Sequence, residues 1–147
     1  MTQMEMPLTD LGCIRKFRND YAEVYTHDSK QTIICILKQE YVPIREFRST
    51  FERITEIVKR GQYKKFIFDK RMLRTFHQPS MEWYFLEWKT QMLSHGLNKH
   101  RKLLPDLPWF VKAVDVAREP LLKKLPDAIS AQLDIVYCDS LEEAFEV

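Results

Sequence analysis

The hydrophobic positions change period several times along the chain, and the changes divide it into elements. CIRKFRND (residues 13 to 20), YAEVYTHD (21 to 28) and TIICILKQ (32 to 39) predict strands, the last two joined by a hairpin loop around Asp28, Ser29 and Lys30. TIICIL is apolar on both alternating faces, the pattern of an interior strand covered on each side, whereas YAEVY alternates more weakly and predicts a strand nearer an edge.

From Pro43 the period lengthens. Ile44, Phe47, Phe51, Ile54 and Val58 recur at three- and four-residue steps before Gly61, predicting an amphipathic helix with a solvated face of Arg45, Arg48, Glu52, Arg53, Glu56 and Lys59. KKFIFDK (64 to 70) reads as a short buried strand and SMEWYFLEWKTQMLSH (80 to 95) as a helix entered through Pro79 and stopped at Gly96. HRKLLP (100 to 105) follows as a strand, and residues 106 to 131 as a helical stretch interrupted at Pro120 and Pro126. LDIVYCD (133 to 139) is the last strand, and in SLEEAFEV Ser140 and Glu143 have the spacing of a capping box.

Strands and helices alternate from residue 32 onward. The expected fold is therefore α/β: a mixed sheet with N-terminal antiparallel strands and a parallel portion, and helices packed on it. The 147-residue length suits one domain spanning 1–147, with residues 1–12 as a flexible or loosely docked N-terminus.

Composition narrows the function more than it names it. With 23 basic and 21 acidic residues the net charge is +2, too balanced for a general nucleic-acid footprint. The start of the chain lacks the features of a signal peptide and there is no apolar run of membrane-spanning length, so a cytoplasmic protein without a membrane span is expected. Cys13, Cys35 and Cys138 are an odd count in apolar or strand-like surroundings, which points to reduced, buried thiols. The three glycines do not cluster, so the phosphate-cradling loops GxGxxG and GxxxxGK[ST] are absent. There is no GxSxG elbow, and the four histidines lack metal-ligand spacing; neither an enzyme, a metal nor a cofactor is expected.

Two basic runs, KRMLR (70 to 74) and NKHRK (98 to 102), flank predicted strand ends. They read as a solvated rim, or, if pooled, as a patch for phosphate groups or an acidic partner. The helix from 80 to 95 carries one apolar stripe through Met81, Tyr84, Phe85, Trp88 and Met92 and a second through Trp83, Leu86, Thr90 and Leu93. A second stripe predicts either wide burial under the 106 to 131 segment or contact with a partner subunit or an apolar ligand.

A hairpin, then YVPIREFRSTFERI, a strand closing as FDKRML, PSMEWYFLEW and finally DIVYCDSLEEAFE together resemble the STAS/SpoIIAA-like family, particularly its small bacterial stand-alone members. Asp69, Arg71 and Leu73 match an Asp-x-Arg-x-Leu strand end, and Ser140 to Ala144 match the Ser-Leu-Glu-Glu-Ala that follows the closing strand. The resemblance implies helices largely on one side of the sheet and a non-enzymatic regulatory or protein-interaction role, here as a homodimer. Related folds of the CRAL-TRIO class imply an alternative, a carrier or sensor of a lipid-like or acidic small molecule with residues 106–131 as a cover. The family's phosphorylatable-serine turn is replaced by TFHQPSME, where Ser80 is the serine nearest the place. Because loops at the C-terminal ends of parallel strands are common ligand sites, Arg71, Arg74, His77 and Ser80 are expected to line a recognition surface with Trp83 beside it, and Asp69 to organise the loop.

Overall fold

The structure is a computed structural model and describes residues 7–147. Six strands form one sheet in sequence order: β1 (Ile14–Arg18), β2 (Ala22–His27), β3 (Thr32–Leu37), β4 (Lys65–Asp69), β5 (Lys99–Leu103) and β6 (Asp134–Tyr137). The first three pair antiparallel through short turns; β3 to β6 run parallel. The fold is thus the α/β mixed sheet that the alternation of elements predicts. Parallel pairing requires crossovers, and helices supply them: α1 (Ile44–Arg60) joins β3 to β4, a helical run 78–93 (α2) joins β4 to β5, and α3 (Pro108–Lys124) with α4 (Asp127–Ser130) joins β5 to β6. α5 (Leu141–Glu146) ends the chain, its Glu143 amide donating to Ser140 Oγ at 3.1 Å and its Glu143 Oε2 accepting from the Asp139 amide at 3.1 Å.

Register fixes what each face of the sheet carries. Paired parallel residues share a face, so Cys35, Phe68, Lys102 and Tyr137 form one row and Ile33, Phe66, His100 and Ile135 the next. This face packs against α1, α2 and α3, and its apolar core joins Phe51, Ile54, Phe66, Phe68, Tyr84 and Trp88. The opposite face, with Ile34, Ile67 and Leu103, is covered among the described residues by α5 and a 3-10 turn, Leu8–Leu11. The helices therefore lie largely on one face. Residues 1–6 of the expected loose N-terminus lie outside the described residues, while Leu8 is buried in the smaller core.

β2 lies nearer an edge than β3, as its weaker alternation predicts: one strand separates it from the rim, β1, whose Arg15 and Lys16 are exposed. Two local expectations change. α3 runs unbroken through Pro120, and the interruption comes at Leu125 and Pro126. The carbonyl that Pro120 leaves without an amide donor belongs to Val116, on the exposed side of the helix, where water can take the bond. The second stripe of α2 does not form an open surface. Trp83 packs edge-on against Phe47 at 6.1 Å with the Arg48 guanidinium 5.1 Å from its ring, while Leu86 joins the cluster under α3. The helix is wedged between α1 and α3, the wide burial that two stripes allow.

Within α2 the turns of Gln78–Glu82 and Lys89–Leu93 are α-helical, but Trp83–Trp88 is π-helical. The wider turn departs from the 100° spacing of an α-helix and lets Tyr84, Trp88 and Lys89 all point toward the sheet. Trp88 Nε1 anchors the run to α1 by donating to Thr55 Oγ1 at 3.0 Å. Gly96, at φ 87°, ends it: the Gly96 amide donates to Leu93 O and the Leu97 amide to Met92 O.

Candidate ligand pocket and its buried lysines

Where β3 and β4 end, α2 begins, and the space between them is a cavity of about 50 Å³. Leu37 and Phe68 from the strand ends, Phe47 from α1, Met81 and Tyr84 from α2 and Phe110 from α3 make it chiefly apolar. Three polar side chains that reach it matter chemically: Lys70, His77 and Ser80.

His77 caps the N-terminus of α2. The Ser80 hydroxyl lies 2.8 Å from His77 Nδ1 and the Ser80 amide donates to the same nitrogen at 3.3 Å. Two donors on Nδ1 leave the proton of the neutral ring on Nε2. The sequence HQPS builds this locally, since Pro79 fits the first turn of a helix and a side-chain acceptor before it satisfies an orphan amide.

Lys70 follows β4 in the alternation Phe66, Phe68, Lys70, so its side chain lies on the helix-covered face, with Nζ 5.3 Å from the Phe68 ring centroid. It is 8% exposed, and among the described residues no carboxylate or hydrogen bond pairs with its amine. Burial holds its pKa well below the ordinary lysine value, and the charge of Lys102 acts in the same direction.

Behind Lys70 lies a second layer of basic groups. Lys89 descends from α2 and Lys102 rises from β5 to the same two rings: Lys89 Nζ is 5.1 Å from the Tyr84 centroid and 4.3 Å from Phe85, and Lys102 Nζ is 5.1 Å and 5.4 Å from them. Lys89 and His100 are 0% exposed and Lys102 1%. Lys89 Nζ, both ring nitrogens of His100 and the Tyr84 hydroxyl have no hydrogen-bond partner among the described residues. Burial pulls Lys89 down to about 7, with Lys70 and Arg118 adding repulsion. Lys102 and His100 are pushed well below their ordinary values by burial and by the neighbouring cations. Arg118 from α3 closes the outer side, donating to the Tyr137 hydroxyl at 3.1 Å.

Of the residues predicted to form one recognition surface, the structure brings His77 and Ser80 together at the cavity and separates the others. Arg71 turns back to Asp69, its Nε 3.0 Å from Oδ1 and its Nη2 2.8 Å from Oδ2, so this pair organises the loop after β4. Arg74 donates to the carbonyls of Arg71 and Leu73. Both arginines border a separate open groove that also carries Asp106, Asp115 and Asp139. Trp83 faces α1. The basic runs do not form a solvated rim or a pooled surface patch either: NKHRK enters β5, where strand alternation sends His100 and Lys102 beneath α2 and Arg101 to the other face. Lys89 and Tyr84 were overlooked as functional candidates, although Lys89 lies one turn after Phe85 within the apolar surface of the helix.

Cys13, Cys35 and Cys138 are free thiols, all buried. Among the described residues no group of three or more His, Cys, Asp or Glu side chains could hold a metal ion, and no helix is long and apolar enough to cross a membrane. No protein-family model, curated protein or solved structure matches this chain.

Proposed function

We propose that this is a cytoplasmic, non-enzymatic carrier or sensor whose cavity takes a small acidic molecule with an apolar body. The observation that carries the reading is the Lys70 amine, unpaired at a chiefly apolar cavity that His77 and Ser80 also line. A carboxylic acid entering there can pass its proton to the amine, and the resulting ion pair forms at low dielectric without leaving a lone buried charge. Since a water occupies roughly 10–15 Å³ on the same measure, the cavity of about 50 Å³ suits a ligand of about three to five non-hydrogen atoms. A longer, lipid-like chain requires Phe110 and the start of α3 to move aside, which gives the 108–124 helix the role of a cover.

Propionate is the test ligand. Titration should shift the Met81 methyl resonance saturably, and calorimetry in buffers of different ionisation enthalpy should show proton uptake on binding. No saturable shift at Met81 would overturn the reading.

A second reading, a STAS-like regulatory domain acting through protein contacts and self-association, is favoured by Trp109 and Val116. These exposed apolar residues are seven apart on one side of α3. Native mass spectrometry distinguishes the two: a dimer lost in Trp109→Glu supports the second, and a monomer with a retained small molecule supports the first.

A further inference from the structure

We infer that Lys70 is a covalent capture residue, its amine forming an imine with the carbonyl carbon of a small aldehyde or ketone held in the cavity. This rests on the reading of the cavity as a ligand site and goes beyond it by naming the bond that holds the ligand.

Geometry supplies the first argument. Lys70 directly follows β4, buried, with its amine 5.3 Å from the Phe68 ring centroid, and lines the cavity. An acid partner would make it an ordinary structural ion pair, but Asp69, its neighbour in sequence, lies on the opposite face and is engaged by Arg71. Electrostatics supplies the second. Lys102 and Lys89 lie behind Lys70, and a protonated Lys70 would add an uncompensated charge to that cluster. The free amine is the form such surroundings favour, and the free amine is the nucleophile; a lysine beside other cations in an apolar site is an established way to obtain one.

The chemistry balances without an oxidant or reductant. The nitrogen lone pair attacks the carbonyl carbon, the carbonyl π pair moves to oxygen, and a proton passes from nitrogen to that oxygen to give a carbinolamine. Loss of the hydroxyl with one further proton releases water and leaves the C=N bond. His77 and Ser80, hydrogen-bonded to each other at the cavity, provide a hydroxyl and an imidazole that can relay those protons. The apolar lining favours expulsion of the water formed.

The test uses butanal as probe, with sodium cyanoborohydride at pH 7 to reduce the imine to a stable secondary amine. Intact mass should show one butyl adduct, and peptide mapping should place it on Lys70. Surface lysines, almost wholly protonated at this pH, should react more slowly by at least about tenfold. Lys70→Met, of similar volume and without the amine, should remain folded by circular dichroism and lose the fast adduct; if it does not fold, the map of the wild-type protein decides alone. Propionate should protect Lys70 from labelling. An adduct spread over surface lysines, or placed on Lys89, overturns the inference. If propionate still shifts Met81 in that case, the ligand site stands without its covalent step; if it does not, both readings fall.

Discussion

β4 and β5 lie side by side within the sheet, paired residue for residue, and their chemistry is opposite. Phe66 faces His100, Ile67 faces Arg101 and Phe68 faces Lys102 across the ladder. Both strands are buried: all of KFIFD, and HRKL of KHRKL. Burial here is set by topology, because a central parallel strand is covered on both faces whatever it carries. The difference lies in how the two strands meet that condition. Phe66 and Phe68 each gain about 1.5–3 kcal/mol from leaving water, whereas for His100 and Lys102 leaving water disfavours the charged form and pushes the pKa well down.

The two faces of the sheet sharpen the contrast. On the α5 side, Lys65 Nζ donates to the carbonyls of Ala144 and Phe145, each at 2.9 Å, and Arg101 Nη2 to Asp134 Oδ2 at 3.0 Å and Val147 O at 2.6 Å. The open carbonyls at the end of a helix are natural partners for cations. On the α2 side, Lys89 and His100 have no such partners. Basic groups that find carbonyl or carboxylate partners on one face serve stability; those on the other lie next to the cavity, where a small molecule can reach the outermost of them, Lys70.

The largest expected effect tests the strand comparison directly. Phe68→Ala should cost about 3–5 kcal/mol in urea unfolding, while Lys102→Met, directly across the ladder, should raise stability by about 1–3 kcal/mol by removing a buried polar group. Loss of stability in Lys102→Met would mean that the amine is satisfied and that the two strands are not opposites.

A pH series comes next. The Lys89 pKa is about 7 folded against the ordinary 10.5, so between those values the unfolded chain binds a proton that the native state does not. Stability should therefore rise with pH across that window, by up to about 1.4 kcal/mol per unit for this one group. It should be lowest once pH falls below 7. Lys70 and Lys102, lowered in the same direction, add to the slope. Urea midpoints measured from pH 7 to 10 check this, and Lys89→Met should flatten the rise. An unchanged slope in that variant would remove Lys89 from the account.

The smallest effect concerns the helix that carries Lys89. Gly96→Ala meets nothing within 4 Å, so its cost is only the left-handed backbone, about 1–2 kcal/mol. A larger loss by thermal unfolding would show that the stop at Gly96 also holds the placement of Lys89 over β5.

Much of the fold is legible in residue order because it depends on short-range periodicity. The stripe of α1, the apolar TIICIL and KFIFD segments, the glycine after α2 and the Ser140 cap each act within a few residues, and each forms where its pattern predicts. The errors occur where a distant neighbour decides. Pro120 reads as a break because it removes a hydrogen bond, yet the carbonyl it frees is on the exposed side of α3.

The site divides in the same way. His77 and Ser80 lie three residues apart and their meeting follows from the start of α2, and the Asp69 and Arg71 pair is equally local. Lys70, Lys89 and Lys102, separated by up to 32 positions in the chain, meet because parallel pairing puts Phe68 beside Lys102 and a π-helical turn points Lys89 down at them. The sequence alone determined the elements, their caps and the mixed α/β sheet, since propensity, capping and amphipathic period are properties of neighbouring residues. Only the tertiary structure decided that a basic run would be buried and its His100 ring left unpaired, because desolvation depends on what other segments cover and no local pattern records the cover.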